Sequence, residues 1–421
     1  MTHRLAATLL AVVITLLSAA PAGAQHAVQT DNAGCRRPPP QGRPLPKGAL
    51  PAPIIARLGL KGVWHDLSRG AGVTVAVVDT GVAAHPKLTP AVLPGIQLVT
   101  VHDARRFEVQ PAAPIDCDNH GTMVAGLIAA RPDPDDRVVG VAPEAAILPV
   151  RLADFKQSPA LGDAIRLAAR SGARVLNLSF ALPDDRPDIR AAIEEAVRND
   201  IVVVAAAGNE GQSSQPGQRW YPAAYDDVLA VAAVGPDGQP MAESNRGAWV
   251  DIAAPGTDLI STSTGGSGFA TQSGTSFATA LVSGVAALIR SRFPRISAAE
   301  VRVRLTGSAV PVSGTADDRV GAGVVDPHAA LTYLPPTGVQ RFADPRSVRL
   351  APLPEPDPVL SADQATALAW SGGVVLLGAL ALIGGSVLRR AAARGWVAGP
   401  TATRTPADTE PAPTPPKTVL R

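Results

Sequence analysis

Three short segments carry side chains able to act on one another. A β-branched run over 73–78 ends in Asp79-Thr80-Gly81, His120 opens the small-residue run Gly121-Thr122-Met123-Val124-Ala125-Gly126, and Ser276 lies in Gly274-Thr275-Ser276-Phe277-Ala278. A serine hydroxyl is a poor nucleophile until an imidazole can take its proton. The imidazole in turn needs a carboxylate to fix its tautomer and stabilise its charged form. Asp79, His120 and Ser276 supply one group of each kind. A fourth segment, Ala205-Ala206-Ala207-Gly208-Asn209, ends in an amide suited to donate to a developing oxyanion. Singly, each residue has a plainer reading: an Asp at a strand end is as often a cap, and a Ser opening an apolar helix (277–290) is more often an N-cap than a nucleophile. The chemistry requires that the four meet in space.

Bringing them together takes rigid elements. Runs over 73–78, 146–150, 174–178, 201–206, 228–233 and 249–252 read as strands, while 159–169 and 188–198 have helical spacing with Ile165, Leu167, Ile193 and Val197 apolar. Strands apolar on both faces and separated by helices imply a parallel sheet covered on both sides. The expected fold class is α/β, a doubly wound, mainly parallel sheet with helices on both faces, in one domain over 58–334. In such folds the carboxyl ends of the strands hold the active site.

At this point a family resemblance is plain. VAVVDTGV (75–82), HGTMVAG (120–126), AAAGNEG (205–211) and GTSFATA (274–280) resemble, in order, the signature segments of the subtilases. The chain order Asp, His, Ser is that of the subtilisin type. The resemblance implies a serine endopeptidase with Asp79, His120 and Ser276 as its triad and Asn209 as oxyanion donor. Leu176-Asn177-Leu178-Ser179-Phe180 resembles the family's substrate-binding strand, whose edge would pair with a peptide. By the same resemblance Ser179, Phe180 and Ala181 line one side of the primary pocket, with Ala206, Ala207 and Gly208 opposite. The segment 320–326 resembles the family's closing segment. Ala280 stands where most subtilases have Pro and Leu281 where many have His; neither belongs to the triad. Phe180 is bulky and Ala181 replaces a frequent Gly.

The remaining histidines have no such context. His85 sits in a turn that also resembles the family's and is not catalytic there, and His65, His102 and His328 read as surface or turn residues. Asp116 and Asp118 read either as solvated loop charges or as a bias against acidic substrates. No HExxH, CxxC or EF-hand pattern occurs, so neither a catalytic metal nor another cofactor is expected, and no calcium ligand set can be picked out. A net charge of +2 gives no electrostatic case for nucleic acid.

Both chain ends carry membrane signals. The apolar run 5–20, followed by Ala22-Gly23-Ala24, reads as a signal peptide over 1–24, with a retained anchor as the alternative. The uncharged run 367–388 would form a helix ~33 Å long, enough to span a hydrocarbon core. Arg389, Arg390 and Arg394 follow it, which puts a tail, 389–421, inside and the bulk of the chain outside. Between lie a Pro-rich extension, 25–57, and a Pro-rich linker, 335–366. On the exported side the two cysteines, Cys35 and Cys117, read as a disulfide, with two free thiols as the alternative. The bridge would close a loop of about 80 residues, worth ~4–5 kcal/mol in the chain-entropy model.

The whole layout resembles a mycosin, the membrane-bound subtilase of type VII secretion systems. That resemblance implies an extension that stays attached, wrapped on the domain and pinned by Cys35–Cys117. It implies a protease cutting exported proteins or peptides beside a secretion membrane complex. A mainly structural role in that complex, with proteolysis secondary, is the alternative, and a freely acting degradative protease fits a tethered chain poorly.

Overall fold

The computed structural model describes residues 35, 39–45, 53–101, 106–133, 137–152, 158–215, 217–312, 317–334 and 362–395. The expected signal peptide, His102, most of the linker and the tail from 396 lie outside them. The described chain forms two units, one up to Gly338 and one from Val339, each treated by itself.

The first unit is built on an eight-stranded sheet. In chain order its strands are β1 (Thr74–Asp79), β2 (Gly95–Val101), β3 (Arg106–Ala112), β4 (Ala146–Leu152), β5 (Val175–Leu178), β6 (Val202–Ala206), β7 (Leu229–Val234) and β8 (Ile252–Pro255). Their spatial order is β3-β2-β4-β1-β5-β6-β7-β8. All neighbours run parallel except β2 and β3, an antiparallel pair at one edge. A second sheet pairs β9 (Leu259–Thr262) with β10 (Phe269–Gln272).

Two main cores, one per face, account for strands that are apolar on both sides, and a small third cluster gathers Ala232 and Val234 of β7 with Val250, Ala253 and Val320. Alternate residues divide between the main cores: Val75, Val77, Val202 and Val204 enter one, and Ala76, Val78, Val203 and Ala205 the other. Helices α1 (Pro53–Arg57), α2 (Leu60–Asp66), α3 (His120–Ala129), α6 (Thr275–Arg292), α7 (Ala298–Gly307) and α8 (Pro327–Thr332) contribute to the first core. Helices α4 (Leu161–Arg170) and α5 (Pro187–Arg198) cover the opposite face with Leu161, Ile165, Ile189 and Ile193. This is the expected doubly wound, mainly parallel α/β fold.

The differences from expectation are local. The packed core reaches back past residue 58, since Ile54 and Ile55 of α1 are buried; five residues are too few for periodicity to reveal. The run 249–252 is not a strand: Val250 N–H closes a turn onto Gly247, and pairing with β7 begins at Ile252. The hairpins β2–β3 and β9–β10 were not expected from their sequences.

Helix α6 is buried from Thr275 to Arg290, a helix ~27 Å long through the core. Such burial needs close approach, and small residues permit it: a Cβ at Gly284 would lie 2.6 Å from Val141 Cβ. Ala280 and Leu281, two of the departures from the family pattern, are fully buried there. Arg290, buried at the helix C-terminus where the dipole favours a cation, donates to Asp200 Oδ2 at 2.9 Å.

The N-terminal extension is docked where it is described. Cys35 and Cys117 form a disulfide with Cα atoms 5.5 Å apart. Arg43 pairs with the outer edge of β10, exchanging main-chain bonds with Phe269 at 2.9 and 2.8 Å, and Gly42 N–H donates to Thr264 at 3.0 Å.

The second unit contains a single described helix, α9 (Ala362–Ala393), which extends the expected span 367–388 at both ends. Its stretch Leu376–Ala393 is exposed, long and apolar enough to cross a membrane.

Candidate active site

Asp79 is the last residue of β1, so its carboxylate emerges at the carboxyl end of a strand in the middle of the sheet. It is buried, and its Oδ1 accepts from Thr80 N–H at 2.7 Å. His120 is the first residue of α3, and its Nδ1 lies 2.8 Å from Asp79 Oδ1 and 3.0 Å from Oδ2. An ionised carboxylate only accepts, so Nδ1 carries the proton and Nε2 of the neutral ring is free to accept one. Burial pushes the imidazole down, but the charge and hydrogen bond of Asp79, joined by the charges of Asp116 and Asp118, outweigh it and raise its pKa above the ordinary value.

Ser276 is the second residue of α6. Helix α3 packs along α6, and the His120 ring lies 5.5 Å from that of Phe277, the residue after Ser276. The structure thus brings His120 to Asp79 and to the first turn of the helix that carries Ser276. The Ser276 hydroxyl, however, donates to the Ser179 carbonyl at 3.0 Å. Catalytic hydrogen bonds to a nucleophile commonly form or tighten only with substrate bound.

Asn209 follows β6 and reaches the same helix end. Its Oδ1 accepts from Thr275 N–H at 2.9 Å and from the Thr275 hydroxyl at 3.0 Å. Both are donors, which fixes the amide orientation and leaves Nδ2 for another acceptor. The Ser276 N–H, in the first turn of α6, has no intrahelical acceptor. Asn209 Nδ2 and the Ser276 N–H are thus two donors at the N-terminal end of α6, where the helix dipole is positive.

The expected pocket residues form two adjoining stretches. Leu178 is paired with Ala205, and a Cβ on Gly208 would lie 2.9 Å from Ala181 Cβ, so 179–181 run beside 206–208. Two details differ from expectation. β5 has no free edge, because β1 and β6 occupy both sides; only its continuation past Leu178 can meet a peptide. The Phe180 side chain is buried in the core on the α4–α5 face, leaving its main chain to face a substrate.

Several supporting residues escaped sequence reasoning. Asp116 is buried rather than solvated. Its Oδ1 accepts from the Thr80 hydroxyl at 2.8 Å and from Asp118 and Asn119 N–H at 3.0 Å each, and its Oδ2 takes both donors of Thr122. It ties the loop after β1 to the start of α3. Asn119 Oδ1 in turn accepts from Ser263 and Thr264, at 2.8 Å each, beside the docked extension. Asn177 and Ser179, both buried, link Ser283 to the Ser276 carbonyl through bonds of 2.9, 2.9 and 2.8 Å. The only signal in the sequence was position: a carboxylate four residues before the His, and Asn-Leu-Ser at a strand end. His85 is buried too, its Nδ1 accepting from Lys87 N–H and its Nε2 donating to Gly268; His65 and His328 are exposed.

The chain has relatives among known proteins. The subtilase family model matches residues 70–323. Mycosin-4 of Mycobacterium tuberculosis is 35% identical over 86% of this chain and 93% of its own length. The crystal structure of MycP1 with its N-terminal propeptide removed is 37% identical, covers 68% of this chain and 98% of its own, and superposes with a TM-score of 0.59. A chain in the structure of an intact ESX-5 inner membrane complex is 32% identical, covers 84% of this chain and 98% of its own, and gives a TM-score of 0.59. The chain belongs to the subtilase family of serine endopeptidases and, within it, to the mycosins.

Proposed function

We propose that the protein is a membrane-anchored endopeptidase that cuts exported proteins beside a type VII secretion complex. The observation that carries the chemistry is the Asp79–His120 pair, at 2.8 Å, set against the start of the helix that bears Ser276. Asp79 holds His120 as the Nδ1–H tautomer. Nε2 takes the Ser276 proton as Oγ attacks the scissile carbonyl carbon. Asn209 Nδ2 and Ser276 N–H donate to the oxygen that becomes negative. His120 then protonates the leaving amine, and water, deprotonated by the same ring, releases the acyl group from Oγ. The main chain of 179–181 and 206–208 flanks the substrate residue before the cut.

The setting is supported by α9, by the Arg389, Arg390 and Arg394 flank that would stay cytoplasmic, and by the likeness to a chain within the ESX-5 inner membrane complex. That last likeness also favours a second reading, in which the protein chiefly braces a secretion complex. Comparing a Ser276→Ala strain with a full deletion separates them. Under the proposal, export proceeds in Ser276→Ala while specific exported proteins remain uncut by mass spectrometry. Intact processing in Ser276→Ala would overturn it, and loss of export only in the deletion would establish the bracing role in addition.

A further inference from the structure

We propose that Asn245 is a positioning residue for the oxyanion donor, holding Asn209 in place from both sides; this rests on the reading of Asn209 given above. Asn245 is fully buried in the connection between β7 and β8. Its own N–H donates to the Gly208 carbonyl at 3.0 Å. Its Nδ2 donates to the Ala207 carbonyl and to Glu210 Oε2, at 2.9 Å each. Its Oδ1 accepts from Glu210 N–H at 3.0 Å and from the Ser214 hydroxyl at 3.1 Å. An asparagine amide offers two hydrogens and an oxygen with two lone pairs; all are used, and none goes to Asn209 itself.

The bonds fall on residues 207, 208 and 210, so they bracket position 209. That matters because Asn209 is exposed on a loop, where mobility is the default, and a donor displaced by about 1 Å can cost 10²-fold in rate. The clamp has a rigid footing. Ser244 Oγ accepts from Ala233 N–H of β7 at 3.1 Å, and Gly211 N–H donates to the Glu243 carbonyl at 2.8 Å. It also explains Gly208, which has φ +102° and whose Cβ would fall 2.3 Å from Asn245 Nδ2. The oxyanion amide is therefore held twice, by Thr275 at its oxygen and by Asn245 through its flanking backbone.

The test is a double-mutant cycle on peptide hydrolysis, with active sites titrated so that only folded enzyme is counted. Asn245→Ala should lower kcat about 10- to 100-fold and change KM by less than about threefold. Asn209→Ala should lower kcat ~10²–10³-fold. The double variant should be no slower than Asn209→Ala, because the clamp has nothing left to hold. If the two losses multiply, or Asn245→Ala leaves kcat unchanged, Asn245 does not act through Asn209. If Asn209→Ala leaves kcat unchanged, the oxyanion reading itself fails and takes this one with it. Should Asn245→Ala not fold, the neutral Asn245→Ser, which loses the Nδ2 amide without setting a charge against Glu210, carries the same comparison.

Discussion

Asp116 grips Thr122 twice: one carboxylate oxygen accepts the Thr122 N–H at 2.8 Å and its hydroxyl at 2.7 Å. The grip falls in the first turn of the helix that His120 opens, and the other oxygen holds the Thr80 hydroxyl beside Asp79. One buried carboxylate thus sets the distance between the members of the Asp79–His120 pair without touching either.

Asp116→Asn should therefore be costly. An amide cannot accept at both ends, so at least one buried donor loses its partner, at about 1–3 kcal/mol. It also removes a negative charge that helps keep His120 protonated. The variant should unfold at lower denaturant concentration, and the acid limb of its kcat/KM profile should move to lower pH. An unmoved limb would show that Asp116 does not act on His120.

The pH dependence of the parent enzyme follows from the raised pKa of His120. Catalysis needs the neutral ring, so kcat/KM should rise with pH around a midpoint above about 6.5, the ordinary imidazole value. Stability runs the other way. A group whose folded pKa is raised contributes fully below its unfolded value and loses that contribution as pH climbs through the folded one. The His120–Asp79 contribution to unfolding free energy should thus fade over the same range in which activity appears. Comparing pH–rate and pH–unfolding profiles of wild type and His120→Ala checks both signs.

Gly126→Ala tests the packing behind the imidazole. A Cβ there would lie 2.2 Å from Thr262 Oγ1 and 2.4 Å from Ser261 Oγ. Those hydroxyls donate to the Thr122 and Met123 carbonyls, fastening α3 to β9. Overpacking at this contact should cost ~1–3 kcal/mol, read as a lower Tm, and should reduce activity by shifting His120.

The extension should remain on the mature enzyme. Cys117 lies three residues before His120, and its bridge to Cys35, together with the Arg43–Phe269 pairing, fastens the segment to the catalytic unit. N-terminal sequencing of the membrane form should give a start near Gln25, and non-reducing peptide maps should contain the Cys35–Cys117 peptide. A mature start near residue 60 that coincides with the onset of activity would contradict this.

Much of the arrangement was legible because it depends on neighbours in sequence. The strand ending in Asp79, the helix opened by His120 and the buried helix behind Ser276 each announce themselves by local pattern. The hairpins β2–β3 and β9–β10 did not: residues 102–105 contain neither Gly nor Pro, and the Gly-rich stretch 263–268 is longer than a two-residue turn. Asp116 was hidden although Asp118, Asn119 and Thr122 are near it in sequence, because its burial leaves no local signal. The same limit hid Asn177 and Asn245. Their partners lie up to 106 positions away, as Ser283 does from Asn177, and the value of a buried polar side chain is set by those partners alone.

The central claim is that Ser276 is the nucleophile. Incubating the membrane form with a fluorophosphonate probe and mapping the adduct tests it most directly. A single adduct on Ser276 is expected, with labelling and peptide hydrolysis abolished in Ser276→Ala while folding and membrane insertion are retained. Labelling that persists in Ser276→Ala, or hydrolysis undiminished by the change, would contradict it.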